Sequence, residues 1–263
     1  MKTNSGFIQK ISVLAFSVLP VFPSLIVISS HNKSAQQNNN GVSVSANVVV
    51  LELFTSQGCS SCPPADALLA EYATAHDEHI IPLSFHVDYW NRLGWADPFS
   101  SSACSNRQQW YSRHLPKGSV YTPQLIVNGR DEAVGNNRNE VKKLVQKELA
   151  VKQSETILVN EVSIGKKTLT FHYKTSNTDQ NHILNIALVQ KQATTNIKAG
   201  ENEGVTVTNH NIVRSFITQP ISNDGLGLIN LPTSFKAAEY ALVLYVQSKK
   251  NLFVTAAVMK DLK

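Results

Sequence analysis

The sequence predicts a mixed α/β domain, in which helices flank a mixed sheet, followed by an antiparallel β-sandwich domain. In residues 47–152, short apolar runs of buried-strand length alternate with helical patterns. In residues 153–263, short segments of alternating apolar and polar residues recur between turns, which is typical of an antiparallel sandwich. Residues 1–46 are expected to precede both domains.

The charge balance argues against a nucleic-acid partner. The chain of 263 residues carries 24 Lys and Arg against 19 Asp and Glu. Three of the basic residues, Lys2, Lys10 and Lys33, lie in the acid-free first 46 residues, which leaves 21 basic and 19 acidic residues on the body. The 21 basic residues of the body do not cluster along the sequence, as they would in a nucleic-acid-binding surface. Three cysteines are also too few for a disulfide-rich scaffold.

The N-terminus predicts export. Residues 11–29 are apolar and follow a positively charged start, which is typical of a signal peptide. The run is close to the roughly 20 residues that span a bilayer, so a cleaved signal and a retained anchor both stay open. Pro20 and Pro23 favour the cleaved signal, and residues 31–45 form a polar linker. We expect a periplasmic or secreted protein that contacts a membrane only through residues 11–29, if these are retained.

The first block contains strand, helix, strand, hairpin and helix in that order. Pro63 opens the first helix, and Asn128-Gly129 is the favoured dipeptide of a tight hairpin turn. A helical insertion at about 89–116 interrupts the block. The predicted elements are strands at 48–54 and 80–87, helices at 63–76 and 136–151, and a hairpin at 124–134. In the second block we predict strands at 156–164, 168–175, 182–190, 204–218, 227–231, 241–246 and 252–258.

The candidate chemistry lies at Cys59 and Cys62. Two thiols separated by two residues, between a strand and a helix, can close a small disulfide ring. The backbone N–H groups and partial positive charge of the helix start would stabilise the thiolate of Cys59. Cys59 is therefore the predicted nucleophile, and Cys62 the residue that resolves the mixed disulfide. This chemistry requires no cofactor.

Pro123 introduces the first strand of the hairpin. A cis peptide bond costs little before proline, and a cis bond here would aim the backbone of Thr122 at the dithiol. Thr122 would then pair with an extended substrate. A trans proline at the start of an edge strand is the alternative.

Further motifs follow one another along the chain: residues 51–66, His86-Val87-Asp88-Tyr89-Trp90, Leu93-Gly94-Trp95, Arg107-Gln108, residues 120–124, residues 201–204 and residues 210–214. Together these residues resemble a thioredoxin-like fold, and more narrowly the DUF1223 family of exported thioredoxin-like proteins. The resemblance implies a thioredoxin-like domain over residues 47–152 and an exported location. The family's function is uncharacterised, so the dithiol role is an inference from thioredoxin-like chemistry.

Neighbouring residues have two interpretations each. Glu52, a carboxylate in an apolar strand, is a candidate proton acceptor for Cys62, or it forms an ion pair. Arg107 is expected to pair with Asp88 or Asp97 and so brace the insertion, or it is a plain surface arginine. A second group of residues either lines a substrate groove or packs the insertion onto the core: Asp88, Tyr89, Trp90 and Trp95.

The second block contains a polar cluster that either faces the dithiol or fixes a loop. Its members are Glu201, Asn202, His210, Asn211 and Arg214. Cys104 is assigned no role.

The predicted function is a thiol–disulfide oxidoreductase that acts on thiol- or disulfide-containing exported proteins and exchanges electrons with a redox partner. One alternative is a copper or zinc site, or a metallochaperone, that uses Cys59, Cys62 and His86. Another is a non-catalytic secreted binding protein with a structural disulfide. The exposure of Cys59 separates the catalytic from the structural interpretation, because an inert disulfide would be buried.

Overall fold

The computed structural model describes residues 42–43, 47–176 and 179–263. The predicted signal or anchor lies outside these ranges, as does the linker apart from residues 42–43. No helix within the described ranges is long and apolar enough to cross a membrane. The three helices are α1 (Pro63–Thr74), α2 (Ser102–Ser112) and α3 (Arg138–Leu149). The strands are β1 (Val42–Ser43), β2 (Val49–Thr55), β3 (Ile80–His86), β4 (Gln124–Val127), β5 (Asp131–Val134), β6 (Thr156–Ile164), β7 (Thr168–Ser176), β8 (His182–Asn196), β9 (Thr206–Pro220), β10 (Asp224–Asn230), β11 (Tyr240–Ser248) and β12 (Val254–Asp261).

These strands form a large mixed sheet and a second, antiparallel sheet. The large sheet has the order β12-β11-β8-β9-β3-β2-β4-β5, and the second has the order β1-β6-β7-β10. Strand β3 is parallel to both β2 and β9, whereas the other pairs are antiparallel. The mixed α/β class predicted from the sequence is therefore present.

The large sheet draws its strands from both blocks of the sequence. Ser84 of β3 pairs with Ile212 of β9, and β8, β11 and β12 continue the sheet beyond that pair. The described residues within Asn39–Lys263 form one compact unit. The structure thus differs from the expectation of a separate sandwich at 153–263, because sequence periodicity identifies a strand and its buried face but not its neighbour.

Alternation along β2 distributes apolar side chains to both faces of the large sheet. Leu51 and Leu53 lie in the core that α1 and α3 cover. Val50 and Phe54 lie in the opposite core with Tyr111 of α2. A third core fills the space between the two sheets and includes the side chains of Phe171, Ile186 and Leu244.

A buried ion pair joins α2 to the large sheet. Arg107 Nε and Nη2 lie 2.9 Å from the two carboxylate oxygens of Glu52, and the side chains are 4% and 1% exposed. Arg107 Nη2 also donates to Tyr111 and to Gln247 Oε1 of β11. The expectation that Arg107 pairs with Asp88 or Asp97 is wrong, because Glu52 faces α2 and offers a bidentate partner.

We expect Arg107→Met to destabilise the protein strongly. Removing one partner leaves the buried Glu52 carboxylate uncompensated, a change that typically costs about 3–5 kcal/mol. Urea denaturation measures the free energy of unfolding. Arg138→Met is the matched control, because it breaks the exposed pair of Arg138 with Glu71, which solvent screens. Equal effects of the two substitutions would contradict the structural role of the buried pair.

Candidate functional site

Cys59 and Cys62 form a disulfide where the chain passes from β2 into α1. Cys62 is the N-cap residue of α1, and the prolines that follow it occupy the first helical positions. The backbone N–H of Cys62 donates to Cys59 O at 3.1 Å. Cys62 O in turn accepts from Asp66 N at 3.0 Å, so the disulfide is held at the start of the helix.

The Thr122–Pro123 peptide bond is cis, as the sequence predicts. The Thr122 hydroxyl donates to Cys59 Sγ at 3.4 Å. Trp90 Nε1 donates to the same hydroxyl at 2.9 Å and so orients it. Gly135 N donates to Pro123 O at 2.9 Å, and a Cβ on Gly135 would lie 2.7 Å from Leu53 Cδ1. A side chain at Gly135 would therefore displace the Leu53 side chain next to Pro123.

Both sulfur-bearing residues are fully buried. Cys59 and Cys62 are each 0% exposed, although Ser60 and Ser61 between them are exposed. The residues that connect β8 to β9, called here the 197–205 loop, lie against the backbone around Cys59. Asn202 Nδ2 donates to Gln57 O and to Cys59 O, both at 2.9 Å, and Ser60 N donates to Glu201 Oε2 at 3.1 Å.

Gln57 links this loop to the insertion. Its amide accepts from Trp95 Nε1 at 3.2 Å and donates to Asn209 Oδ1 of β9 at 3.0 Å. Gly200, with a φ of 80°, approaches the same tryptophan closely, because a Cβ on Gly200 would lie 3.2 Å from Trp95 Cβ. The tip of the β8–β9 hairpin therefore fits against the insertion without space for a side chain at Gly200.

His86 pairs with Asp97 at the end of β3. His86 Nδ1 lies 2.7 Å from Asp97 Oδ2, and both side chains are 0% exposed. Burial alone would lower the pKa of His86, but the charge and hydrogen bond of Asp97 outweigh it and raise the pKa. No set of three or more His, Cys, Asp and Glu in the described ranges is arranged to hold a metal ion. The alternative of a site from Cys59, Cys62 and His86 thus has no geometric support.

Glu52 forms a buried ion pair, which is the second of the two interpretations that the sequence allows. Its carboxylate is engaged by Arg107 and Tyr111, so it is not a free proton acceptor for Cys62. The structure offers Asp66 instead. Burial raises the pKa of Asp66 to about 7, although the neighbouring His86 opposes the rise.

Asp66 was not predicted as a site residue. An acid in the first turn of a helix is commonly a solvent-exposed partner of the helix dipole, so its sequence position carried no signal. In the structure, its Oδ1 is buried and has no hydrogen-bond partner among the described residues. Asp66 is therefore an acid next to Cys62 for which burial outweighs the opposing effects of His86 and Thr55 on its pKa.

The remaining predicted residues hold the surrounding elements together. Asp88 accepts a hydrogen bond from Ser105 of α2, and the Tyr89 hydroxyl donates to Gln108. Of the second polar cluster, Glu201 and Asn202 contact the CxxC segment, whereas the others lie along β9. Asn211 Nδ2 donates to Pro82 O, Arg214 Nη1 donates to Gln190 Oε1, and His210 pairs in register with Gln192. Cys104 is a free cysteine and is buried. Burial raises the pKa of its thiol to about 11.

The fold and the site define a class: a mixed α/β protein with a CxxC disulfide at a helix N-terminus beside a cis-proline. The chain belongs to the DUF1223 family, described as a protein of unknown function, whose model matches residues 50–247.

Solved structures include one similar protein over most of the chain. The crystal structure of protein AGR_C_4864 from Agrobacterium tumefaciens is 26% identical, covers 82% of this chain and 96% of its own, and has a TM-score of 0.62. A domain of the outer membrane lipoprotein Omp28 from Porphyromonas gingivalis is 14% identical over 42% of this chain and 89% of its own. The TM-score of this second comparison is 0.27. No curated protein matches the sequence at a significant level.

The raised pKa of Asp66 predicts a pH dependence of stability. The folded carboxyl keeps its proton up to about pH 7, whereas the unfolded one releases it near its ordinary value of 3.8. The native state therefore binds more protons in this interval, and stability falls as the pH rises through it. His86, whose pKa is also raised, acts in the same direction at the upper end of the interval.

We expect Asp66→Asn to flatten this decline, so that the variant gains stability relative to the wild type between pH 5 and 8. Urea denaturation at several pH values measures the difference. Asp77→Asn, in the exposed turn after α1, is the control. A difference between wild type and Asp66→Asn that does not change with pH would show that Asp66 has an ordinary pKa.

Proposed function

We propose that this chain is a thioredoxin-like thiol–disulfide oxidoreductase that acts on exported proteins through Cys59 and Cys62. One observation carries the proposal. The disulfide lies at the N-terminus of α1, and the hydroxyl that contacts Cys59 Sγ belongs to the residue before a cis-proline. Such a helix start stabilises a thiolate by its partial charge and its free N–H groups.

The reaction is a balanced exchange of two electrons. A substrate thiolate attacks Cys59 Sγ, the S–S bond breaks, and Cys62 leaves as a thiolate. A second substrate thiolate then attacks the substrate sulfur of the mixed disulfide and releases Cys59. The substrate dithiol is oxidised to a disulfide, the cysteine pair is reduced, and the two substrate thiol protons pass to the leaving thiolates or to solvent. In the reverse direction, Cys59 attacks a substrate disulfide and Cys62 resolves the intermediate.

Asp66 replaces Glu52 as the proposed proton exchanger. It lies one helical turn after Cys62, and its backbone N–H donates to Cys62 O. A carboxyl with a pKa of about 7 exchanges protons readily near neutral pH, whereas both oxygens of Glu52 are engaged by Arg107.

The second candidate function is that of a binding protein with a structural disulfide. The specific observation in its favour is the complete burial of both cysteines, since an attacking thiolate cannot reach a sealed sulfur. A structural disulfide resists glutathione and typically has a reduction potential below about −300 mV.

Equilibration with glutathione separates the two candidates. For the folded Cys104→Ala protein, alkylation and mass measurement give the fraction of reduced Cys59 and Cys62 at each ratio of reduced to oxidised glutathione. We expect a reduction potential between about −270 and −120 mV, as in related exchange proteins. Cys62→Ser should accumulate a mixed disulfide at Cys59, whereas Cys59→Ser should accumulate far less. A disulfide that is reduced only after the protein unfolds would refute the exchange function.

We propose in addition that the protein is exported, on the basis of the charged and apolar pattern of residues 1–29. The test is cell fractionation with N-terminal sequencing of the protein recovered. Cleavage near Ser30 or before Asn47 is expected for a signal peptide, and an intact chain in the membrane fraction for an anchor. Recovery of the intact chain from the cytoplasmic fraction would overturn the proposal.

A further inference from the structure

We propose that the β8–β9 hairpin is a displaceable cap on the Cys59–Cys62 disulfide, and that an extended polypeptide segment of the substrate takes its place. This inference rests on the proposed exchange function and names the substrate class and its entry. The part of the hairpin beyond the sheet, residues 191–211, is called here the hairpin arm.

The hairpin arm contacts the backbone around Cys59 through polar groups. Asn202 is buried although it is polar, and its amide satisfies the carbonyls of Gln57 and Cys59. Glu201 accepts from the N–H of Ser60. These contacts engage the backbone of the segment that contains the first cysteine, which is the backbone that a substrate attacking Cys59 must approach.

Within the arm, the backbone ladder joins β8 and β9 only to each other, whereas the side chains of Asn211 and Lys191 reach Pro82 O of β3 and Asp261 of β12. Strand β11 pairs with β8 only as far as Gln190, and the register of β3 with β9 consists of the pair Ser84 and Ile212. Beyond these points the two strands pair with each other, from Gln192 with His210 to Asn196 with Thr206. Displacing the arm therefore breaks no ladder with β3 or β11.

The β8–β9 ladder is irregular where the arm leaves the sheet. Asn211, one residue before the pair with β3, has a φ of 48°, in the left-handed region that few non-glycine residues adopt. A register shift interrupts the β8–β9 ladder nearby, between Leu188 and Val189. Hinges consist of a few residues at the ends of rigid elements, which is the position of Asn211, and opening there breaks its hydrogen bond to Pro82 O.

The 197–205 loop keeps its own shape by backbone bonds. Ile197 N donates to Val205 O, and Gly204 N donates to Ile197 O, both at 2.9 Å. The loop can therefore move with the arm as one body, and the contacts that must break include those to Gln57, Cys59 and Ser60.

The groups that the arm satisfies define the substrate class. The carbonyls of Gln57 and Cys59 accept hydrogen bonds from the arm, and the N–H of Ser60 donates one to it. The N–H and C=O groups of an extended polypeptide supply the same donors and acceptor by main-chain pairing, which depends little on sequence. The chemistry thus points to an extended, cysteine-containing segment of a protein rather than to a small thiol.

The test measures the rate of disulfide reduction in the folded full chain. Dithiothreitol is added at increasing concentration, and samples are quenched with acid, alkylated and weighed by mass spectrometry. If the arm must open first, the rate levels off at the opening rate as dithiothreitol increases. Asn202→Ala removes two hydrogen bonds of the closed state and should raise this plateau about tenfold, a factor that corresponds to about 1.4 kcal/mol.

Glu203→Ala is the matched control. Glu203 lies next to Asn202 in the same loop, is exposed, and should leave the plateau unchanged. Glu201→Gln weakens the contact with Ser60 and should raise the plateau by a smaller factor, which keeps the test valid if Asn202→Ala fails to fold by circular dichroism. A rate that rises linearly with dithiothreitol and is equal in all four proteins would overturn the cap.

A peptide with two cysteines tests the substrate class. We expect its half-saturating concentration to be about tenfold below that of dithiothreitol, because it also occupies the site of the arm. Equal half-saturating concentrations of the peptide and of dithiothreitol would refute a polypeptide as the substrate class. If Asn202→Ala is reduced faster but the protein exchanges no disulfide with other proteins, the result supports the cap and refutes the oxidoreductase function. If the protein exchanges disulfides and Asn202→Ala has no effect on the rate, the result supports the oxidoreductase function and refutes the cap.

Discussion

The parallel pairing of β3 with β9 is the contact on which the organisation of this protein depends. It joins strands from the two sequence blocks into one sheet through the pair Ser84 and Ile212. Strand β9 and its partner β8 therefore run past the end of β3 and carry their connecting loop to the disulfide. If the second block formed a separate domain, no shared strand would hold Asn202 within hydrogen-bonding distance of the CxxC backbone.

Around this shared sheet, buried acids among the described residues pair with bases. Glu52 is matched by Arg107 and Asp97 by His86, so each of these charges has a partner at hydrogen-bonding distance. Asp66 forms no such ion pair, and burial raises its pKa against the opposing effects of His86 and Thr55. This acid lies in the first turn of the helix that begins at Cys62.

Several local features were predictable because they depend on short-range rules. The strand at Ile80–His86, the hairpin at Asn128-Gly129 and the proline-opened helix at Pro63 all follow from periodicity and turn chemistry, within a few residues at their ends. The roles of Glu52 and Asp66 were not predictable in this way. Glu52 meets Arg107 across 55 positions of sequence, and the burial of Asp66 depends on strands packed beneath α1.

By itself, the sequence determined the mixed α/β class, the cysteine pair at a helix start and the cis-proline beside it, because each arises within one element or from a motif of a few residues. The tertiary structure alone decided that one sheet spans both blocks, that the β8–β9 hairpin contacts the backbone around Cys59, and which acid has a raised pKa. These properties depend on which distant segments become neighbours, and the periodicity of one segment specifies its buried face but not the partner that the face or edge will meet.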